Sequence, residues 1–260
     1  MIGWPIVGLD LSVLYGGSAS AAGTGGNPVV ALQQAVKGQA RGIADTAKQP
    51  DVQRDIAAFR KAVATAADPK ALLANPIARR VLMTANGLGD QTAYAALATK
   101  ALLSDPTNAK SLASTLTDMR WKSAATTLNF AKNGLAALRD PKILDTMANA
   151  YAEIAWRKSL DAQTPGLSDA LTFRASAATA KNVYDVLGNA TLRKVVTGAL
   201  GIPKEIAFQP LDTQGRAISS KLDVKRLQDP KYVDKLAQRF LLAQADQASQ
   251  TGQAGLGLLI

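Results

Sequence analysis

The 260-residue chain contains no cysteine and no histidine. Their absence removes zinc–thiolate and iron–sulfur sites, thiol nucleophiles, histidine-ligated haem and every imidazole acid–base mechanism. Glutamate is nearly missing too: of 20 acidic residues only Glu153 and Glu205 are glutamates. Aromatics make up 5% against 47% hydrophobic residues, so any core must be built from Ala, Leu, Val and Ile. No Gly-Lys dipeptide occurs, which excludes a phosphate-binding P-loop, and Gly-x-Ser-x-Gly and Ser-x-x-Lys are also absent. The Gly-rich stretches Gly23–Pro28 and Gly252–Gly257 follow no predicted strand, so neither reads as a dinucleotide fingerprint. No apolar run approaches the ~20 residues of a membrane-spanning helix.

The sequence does contain strong helix formers with many start signals, and it lacks β-branched runs joined by hairpin turns. The fold class expected is all-α. Asp-Pro occurs at 68–69, 105–106, 140–141 and 229–230, and Asn-Pro at 27–28 and 75–76. The side chain accepts exposed N–H groups at a helix start, while proline at the first helical position lacks an N–H that would go unpaired. Each pair predicts a helix start. The aspartates therefore read as caps rather than catalytic pairs, and no cofactor or metal set emerges.

Residues 55–88 reappear at 169–202 without a gap, with 12 identities in 34 positions. Phe59, Arg60, Asn75, Arg79, Val81 and Gly87 match Phe173, Arg174, Asn189, Arg193, Val195 and Gly201. The pattern keeps a cap, an apolar face and a glycine stop, as a packing module would. Weaker matches place Asp105-Pro106 against Asp229-Pro230, which puts a ten-residue insertion near 209–227 of the second copy. Residues 28–243 are read as one helical domain: a repeat unit over 55–115, bridging helices over 116–168 and a second unit over 169–240. The segments 1–27 and 244–260 carry one charge each, Asp10 and Asp246, and are predicted to be flexible tails.

Net charge is +10, with basic residues spread among aspartates and no run of five or more. The recurring basic pairs Arg60/Arg174, Arg79/Arg193 and Arg80/Lys194 are the candidate contacts for an anion or a partner. The competing reading is exposed helix faces whose cations pair with nearby aspartates. Phe59/Phe173 and Tyr94/Phe208 recur as expected core aromatics, and Trp121 and Trp156 are expected to be buried.

Ala58-Phe-Arg-Lys-Ala-Val63, Val81-Leu-Met-Thr-Ala-Asn-Gly-Leu-Gly-Asp90, Asp118-Met-Arg-Trp121 and Arg193-Lys-Val-Val-Thr-Gly-Ala-Leu-Gly-Ile-Pro203 resemble a bacterial domain-of-unknown-function family met beside flagellar genes. The resemblance spans about 51–243, and Ala58 departs from the family's usual tyrosine. It implies a helical protein linked to motility and transfers no catalytic residue. The function expected is a non-enzymatic interaction or structural protein of flagellar assembly or export, whose partners are flagellar or other bacterial proteins. It would lie in the cytoplasm or reach the flagellum by signal-independent export, as no secretory signal is apparent. The alternative is an anion or nucleic-acid binder using basic helix faces; an aspartate-dependent enzyme is a more distant third.

Overall fold

The computed structural model describes residues 26–256, with side chains through Ser249, and these residues form an all-α protein with no strand. The first helix, α1 (Pro28–Ala47), starts where the Asn27 carboxamide accepts the Val29 N–H at 2.9 Å. It leads into α2 (Pro50–Thr65), α3 (Pro69–Ala74) and α4 (Pro76–Ala85). Pro50 not only follows α1 but is the first residue of α2. Asp68 caps α3 through the Ala71 N–H at 2.7 Å, and Asn75 caps α4 through the N–H groups of Ile77 and Ala78, both at 3.0 Å.

A run of short helices comes next: α5 (Ala95–Leu102), α6 (Leu112–Thr115), α7 (Arg120–Leu128), α8 (Phe130–Asn133) and α9 (Ala136–Arg139). They lead to the long α10 (Pro141–Leu160). The rest comprises α11 (Leu167–Ser176), α12 (Val183–Leu187), α13 (Ala190–Ala199), α14 (Leu211–Ser219) and α15 (Pro230–Leu256), joined by 3-10 turns at 177–179, 204–208 and 224–228.

Two apolar cores result. The first gathers Phe59, Leu72, Leu73, Val81, Leu82, Trp121, Leu128, Leu138 and Met147. The second gathers Leu171, Phe173, Leu187, Val195, Val196, Ile218, Leu227, Leu236 and Phe240. Helix α10 contributes to both, with Met147 in the first and Trp156 in the second. Helix α1 adds Leu32 and Ala35 to the second core and packs on α10, α11 and α15. Its approach to α10 is close: a Cβ on Gly42 would lie 2.2 Å from Trp156 Nε1, so only glycine fits there.

Several of the matched positions have similar local structure. Phe59 and Phe173 are both fully buried, each on the helix that opens its unit. Asn189 caps α13 as Asn75 caps α4. Gly87 and Gly201 follow with φ of 76° and 60°, and the next residue closes the turn in each: Leu88 N–H to the Met83 carbonyl, Ile202 N–H to the Thr197 carbonyl.

Beyond the glycines the correspondence differs from the sequence expectation. Asp105-Pro106 starts no helix; the Asp105 carboxylate instead closes a turn onto the N–H and hydroxyl of Thr107. The counterpart of Asp229-Pro230 at the head of α15 is Asp140-Pro141 at the head of α10. Leu138-Arg-Asp-Pro-Lys-Ile-Leu-Asp145 aligns with Leu227-Gln-Asp-Pro-Lys-Tyr-Val-Asp234. The Arg139 guanidinium donates to the Ala66 carbonyl at 2.9 Å, and Gln228 donates to Ala180, the residue matching Ala66, at 3.1 Å. In this alignment α10 corresponds to α15, and the connection from Gly87 to Asp140 is longer than that from Gly201 to Asp229.

Two further expectations change. The helix expected over 120–131 breaks at Asn129, which adopts φ 46°. Helix α15 extends to Leu256, within the segment 244–260 expected as a tail, and residues 257–260 lie outside the described residues. Tyr94 and Phe208 are 58% and 88% exposed instead of buried, because each lies where a short turn meets the surface. The expected N-terminal tail, up to residue 25, lies outside the described residues.

Candidate functional site

Four of the six candidate basic residues are held by aspartates. Arg80 pairs with Asp55 at 2.6 Å, and at the matching positions Lys194 pairs with Asp169 at 2.5 Å. Arg60 pairs with Asp145 at 2.6 Å, and Arg174 with Asp234 at 2.5 Å. In both units one pair ties the first helix to α4 or α13, and the other ties it to α10 or α15. Exposed pairs of this kind contribute at most ~1 kcal/mol each, so their role is to set helix register.

The first unit adds a phenol. Tyr151 donates to Asp55 at 2.5 Å, and Phe240 takes its place in the second unit. Burial, and then the bond to the Asp55 carboxylate, push the Tyr151 phenol up to about 12. The same carboxylate raises the Arg80 guanidinium.

Arg79 and Arg193 diverge most. Arg79 donates to the Leu73 carbonyl at 2.8 Å, which caps α3. Arg193 occupies the matching place on α13 and is exposed, and its guanidinium makes no hydrogen bond or ion pair among the described residues. It stands at the mouth of a groove of about 540 Å³ between α13, the 204–208 turn, α14 and α15.

Leu187, Ile202, Ile206 and Ile218 supply the apolar lining of this groove, and Arg193, Lys194 and Lys204 supply cations. Among the described residues no Asp or Glu lines it. Gln214 is buried there, its amide nitrogen donating to the carbonyls of Gln209 at 2.7 Å and Ala207 at 3.3 Å. That bond pair pins the turn carrying Lys204 and leaves Phe208 projecting.

The first unit closes the same space. Gly89 sits between the Thr84 hydroxyl and the Lys158 ammonium, 3.3 Å and 3.6 Å from where its Cβ would be. Gly198 and Gln247, which line the open groove, are the matching residues in the second unit. Arg120 locks the first arrangement by donating to the Gly87 carbonyl at 2.6 Å and to both Asp118 and Asp90. Desolvation opposes charge on Asp90, but the bonds from Arg120 and Gln91 win and hold its carboxyl below the usual range. Asp118 and Asp90 likewise outweigh desolvation at Arg120 and raise its guanidinium.

Of the expected contacts, only Arg193 and Lys194 meet at one place. Lys204 and Gln214 belong to the same region and were not singled out from sequence, while Phe208, at the end of the 204–208 turn, was expected in the core. The signal for them was Pro203-Lys204 standing where the first unit has Gly89-Asp90. Among the described residues no group of three or more Asp or Glu could hold a metal ion, and no helix is long and apolar enough to cross a membrane.

A family described as "Protein of unknown function (DUF1217)" matches residues 85–233. The chain belongs to this family. That match runs from the end of α4 to the first turn of α15, so it covers the closed space of the first unit and nearly all of the groove in the second. The crystal structure of protein AGR_C_984 from Agrobacterium tumefaciens is similar in fold, with a TM-score of 0.73 and 23% identity over 88% of this chain and 98% of that one. No curated protein matches the chain in sequence. The DUF1217 description names no activity, so the reading of the groove rests on its own chemistry.

Proposed function

We propose that this DUF1217 protein is a non-enzymatic helical scaffold that binds other bacterial proteins and acts in flagellar assembly or export. The observation that carries the binding role is the open groove of the second unit, an apolar floor under unpaired cations in a body whose other matched charges are mutually satisfied. A side chain 88% exposed as large as Phe208 supports the same reading, because aromatic residues are enriched at binding surfaces. We further propose that the two units descend from one duplicated ancestor, as the recurring caps, turns and ion pairs suggest. Location in the cytoplasm, or in the flagellum after signal-independent export, is part of the same proposal. The flagellar link rests on the resemblance of the sequence motifs alone.

The alternative, an anion or nucleic-acid binder using basic helix faces, has less support, since Arg60, Arg80, Arg174 and Lys194 are engaged by aspartates. Affinity purification of the full chain from motile cells, with swimming assays of a deletion strain, tests the proposal. Recovery of flagellar components with impaired swimming is expected. Normal swimming together with recovery of no bacterial protein would overturn it.

A further inference from the structure

The groove of the second unit has a chemistry that narrows what can occupy it. Its lining carries three cations, Arg193, Lys194 and Lys204, and no carboxylate. Among the described residues only Lys194 of the three has an ion-pair partner, Asp169 at 2.5 Å. Below the cations lies an apolar floor that includes Ile202, Ile206 and Ile218. An occupant must therefore offer an apolar stripe and negative charge on the same side.

We infer that the groove receives an acidic amphipathic helix from a partner protein, its apolar stripe on the isoleucines and its carboxylates on Arg193 and Lys204. This rests on the partner-binding reading above. Helix-in-groove recognition uses anchors spaced at i, i+3, i+4 and i+7, which an open trough walled by α13 and α15 can accept. Charge complementarity selects the sign of the partner. A second copy of this chain is a poor occupant, because each copy carries a net charge of +10 and the two repel. In the first unit Gly89 lies against Thr84 and Lys158, the residues matching Gly198 and Gln247, and Arg120 ties down Asp90, the residue matching Lys204.

The test uses the full chain and a fluorescein-labelled 16-residue probe peptide with leucines on one face and glutamates flanking them. A control peptide replaces every glutamate by lysine. The acidic probe should bind the wild type in the micromolar range and lose about tenfold or more in the Arg193→Glu/Lys204→Glu variant, each exposed charge contact being worth roughly a factor of three. Its affinity should also fall as salt rises from about 50 to 300 mM, as expected for exposed charge pairs. The lysine peptide should bind the variant better than the wild type. Phe208→Ala should weaken the acidic probe, and circular dichroism should confirm that every variant keeps the wild-type helix content.

Equal affinity of wild type and double variant for the acidic probe would overturn the proposal, as would absence of binding at millimolar probe. Self-association of the wild type abolished by the double variant would assign the groove to a second copy and overturn it too. Purification from motile cells separates the two levels. If wild type and double variant recover the same partners, the groove assignment fails and the scaffold function stands; if neither recovers any, the scaffold function fails.

Discussion

The two units of this protein use matched residues for the same internal jobs and differ where each meets solvent. Asn75 and Asn189 cap, Phe59 and Phe173 fill, Gly87 and Gly201 turn, and the paired cations tie the same helices together. The difference begins after the glycines. The first unit runs through α5 to α9 before reaching α10, and this long connection lays Gly89, Asp90 and Arg120 across the end of α4. The second unit reaches α15 through α14 and two short turns, and the same space stays open. Packing constrains the buried positions in both units alike, because a core at near-crystalline density tolerates little change. The connections are free to diverge, and the open one carries the candidate binding surface.

The largest expected effect tests whether the cores are alike. Phe59→Ala and Phe173→Ala should each destabilise by about 3–5 kcal/mol, since both rings are fully buried. Urea unfolding followed by circular dichroism measures this. A loss under about 1 kcal/mol for one of them would break the equivalence.

The carboxylates sharpen it. Asp55→Asn weakens bonds from both Arg80 and Tyr151, whereas Asp169→Asn weakens one from Lys194. Bonds to charged groups are worth ~1.5–3 kcal/mol when buried and less at the surface. Asp55, with a side chain 14% exposed against 26% for Asp169, should therefore cost more, about 2 kcal/mol against about 1. Equal losses would mean that Tyr151 adds nothing.

Alkaline titration isolates that phenol. Its value in the folded protein, about 12, lies above the ordinary ~10 of an unfolded tyrosine. The stability contributed by neutral Tyr151 is thus fully present below pH ~10 and is lost as pH rises through about 12. Stability should fall over that window in the wild type and fall less in Tyr151→Phe. Subtraction removes the parallel contribution of Tyr184, whose phenol is raised by its bond to Asp212. Superimposable pH profiles would refute the Tyr151–Asp55 bond.

The smallest effect concerns the diverged arginines. Arg79→Ala removes the cap on the Leu73 carbonyl and should cost roughly 1 kcal/mol, while Arg193→Ala should stay within about 0.5 kcal/mol of wild type. Thermal unfolding resolves the difference. A costly Arg193→Ala would give that side chain a structural role and weaken its assignment to a partner.

Much of the helix framework was legible because capping is local. Asn27, Asp68, Asn75, Asp140, Asn189 and Asp229 all stand at helix starts, where a short polar side chain reaches N–H groups two or three residues on. Asp105 shows the limit of that rule. It makes the same local bond to Thr107, yet no helix follows, because the segment after it is held as turns. The pairing of α10 with α15 was readable in the repeated Leu-x-Asp-Pro-Lys-x-x-Asp pattern but was displaced by the weaker Asp-Pro match nearer in the chain. Tyr94 and Phe208 were misread because an aromatic beside apolar residues does not reveal which side of a turn it will occupy.

Residue identity alone determined the class of this molecule: helices capped by aspartate and asparagine, a core of small aliphatic side chains, and no imidazole or thiol chemistry. The tertiary structure decided which cations remain available. Arg79 and Arg193 are identical in type and position within their helices, yet Arg79 caps the Leu73 carbonyl while Arg193 lines the groove, although Leu187 matches Leu73. The groove beside Arg193 is bordered by chain connections whose lengths differ between the units, and contact across a connection is a property of folded geometry that no local pattern encodes.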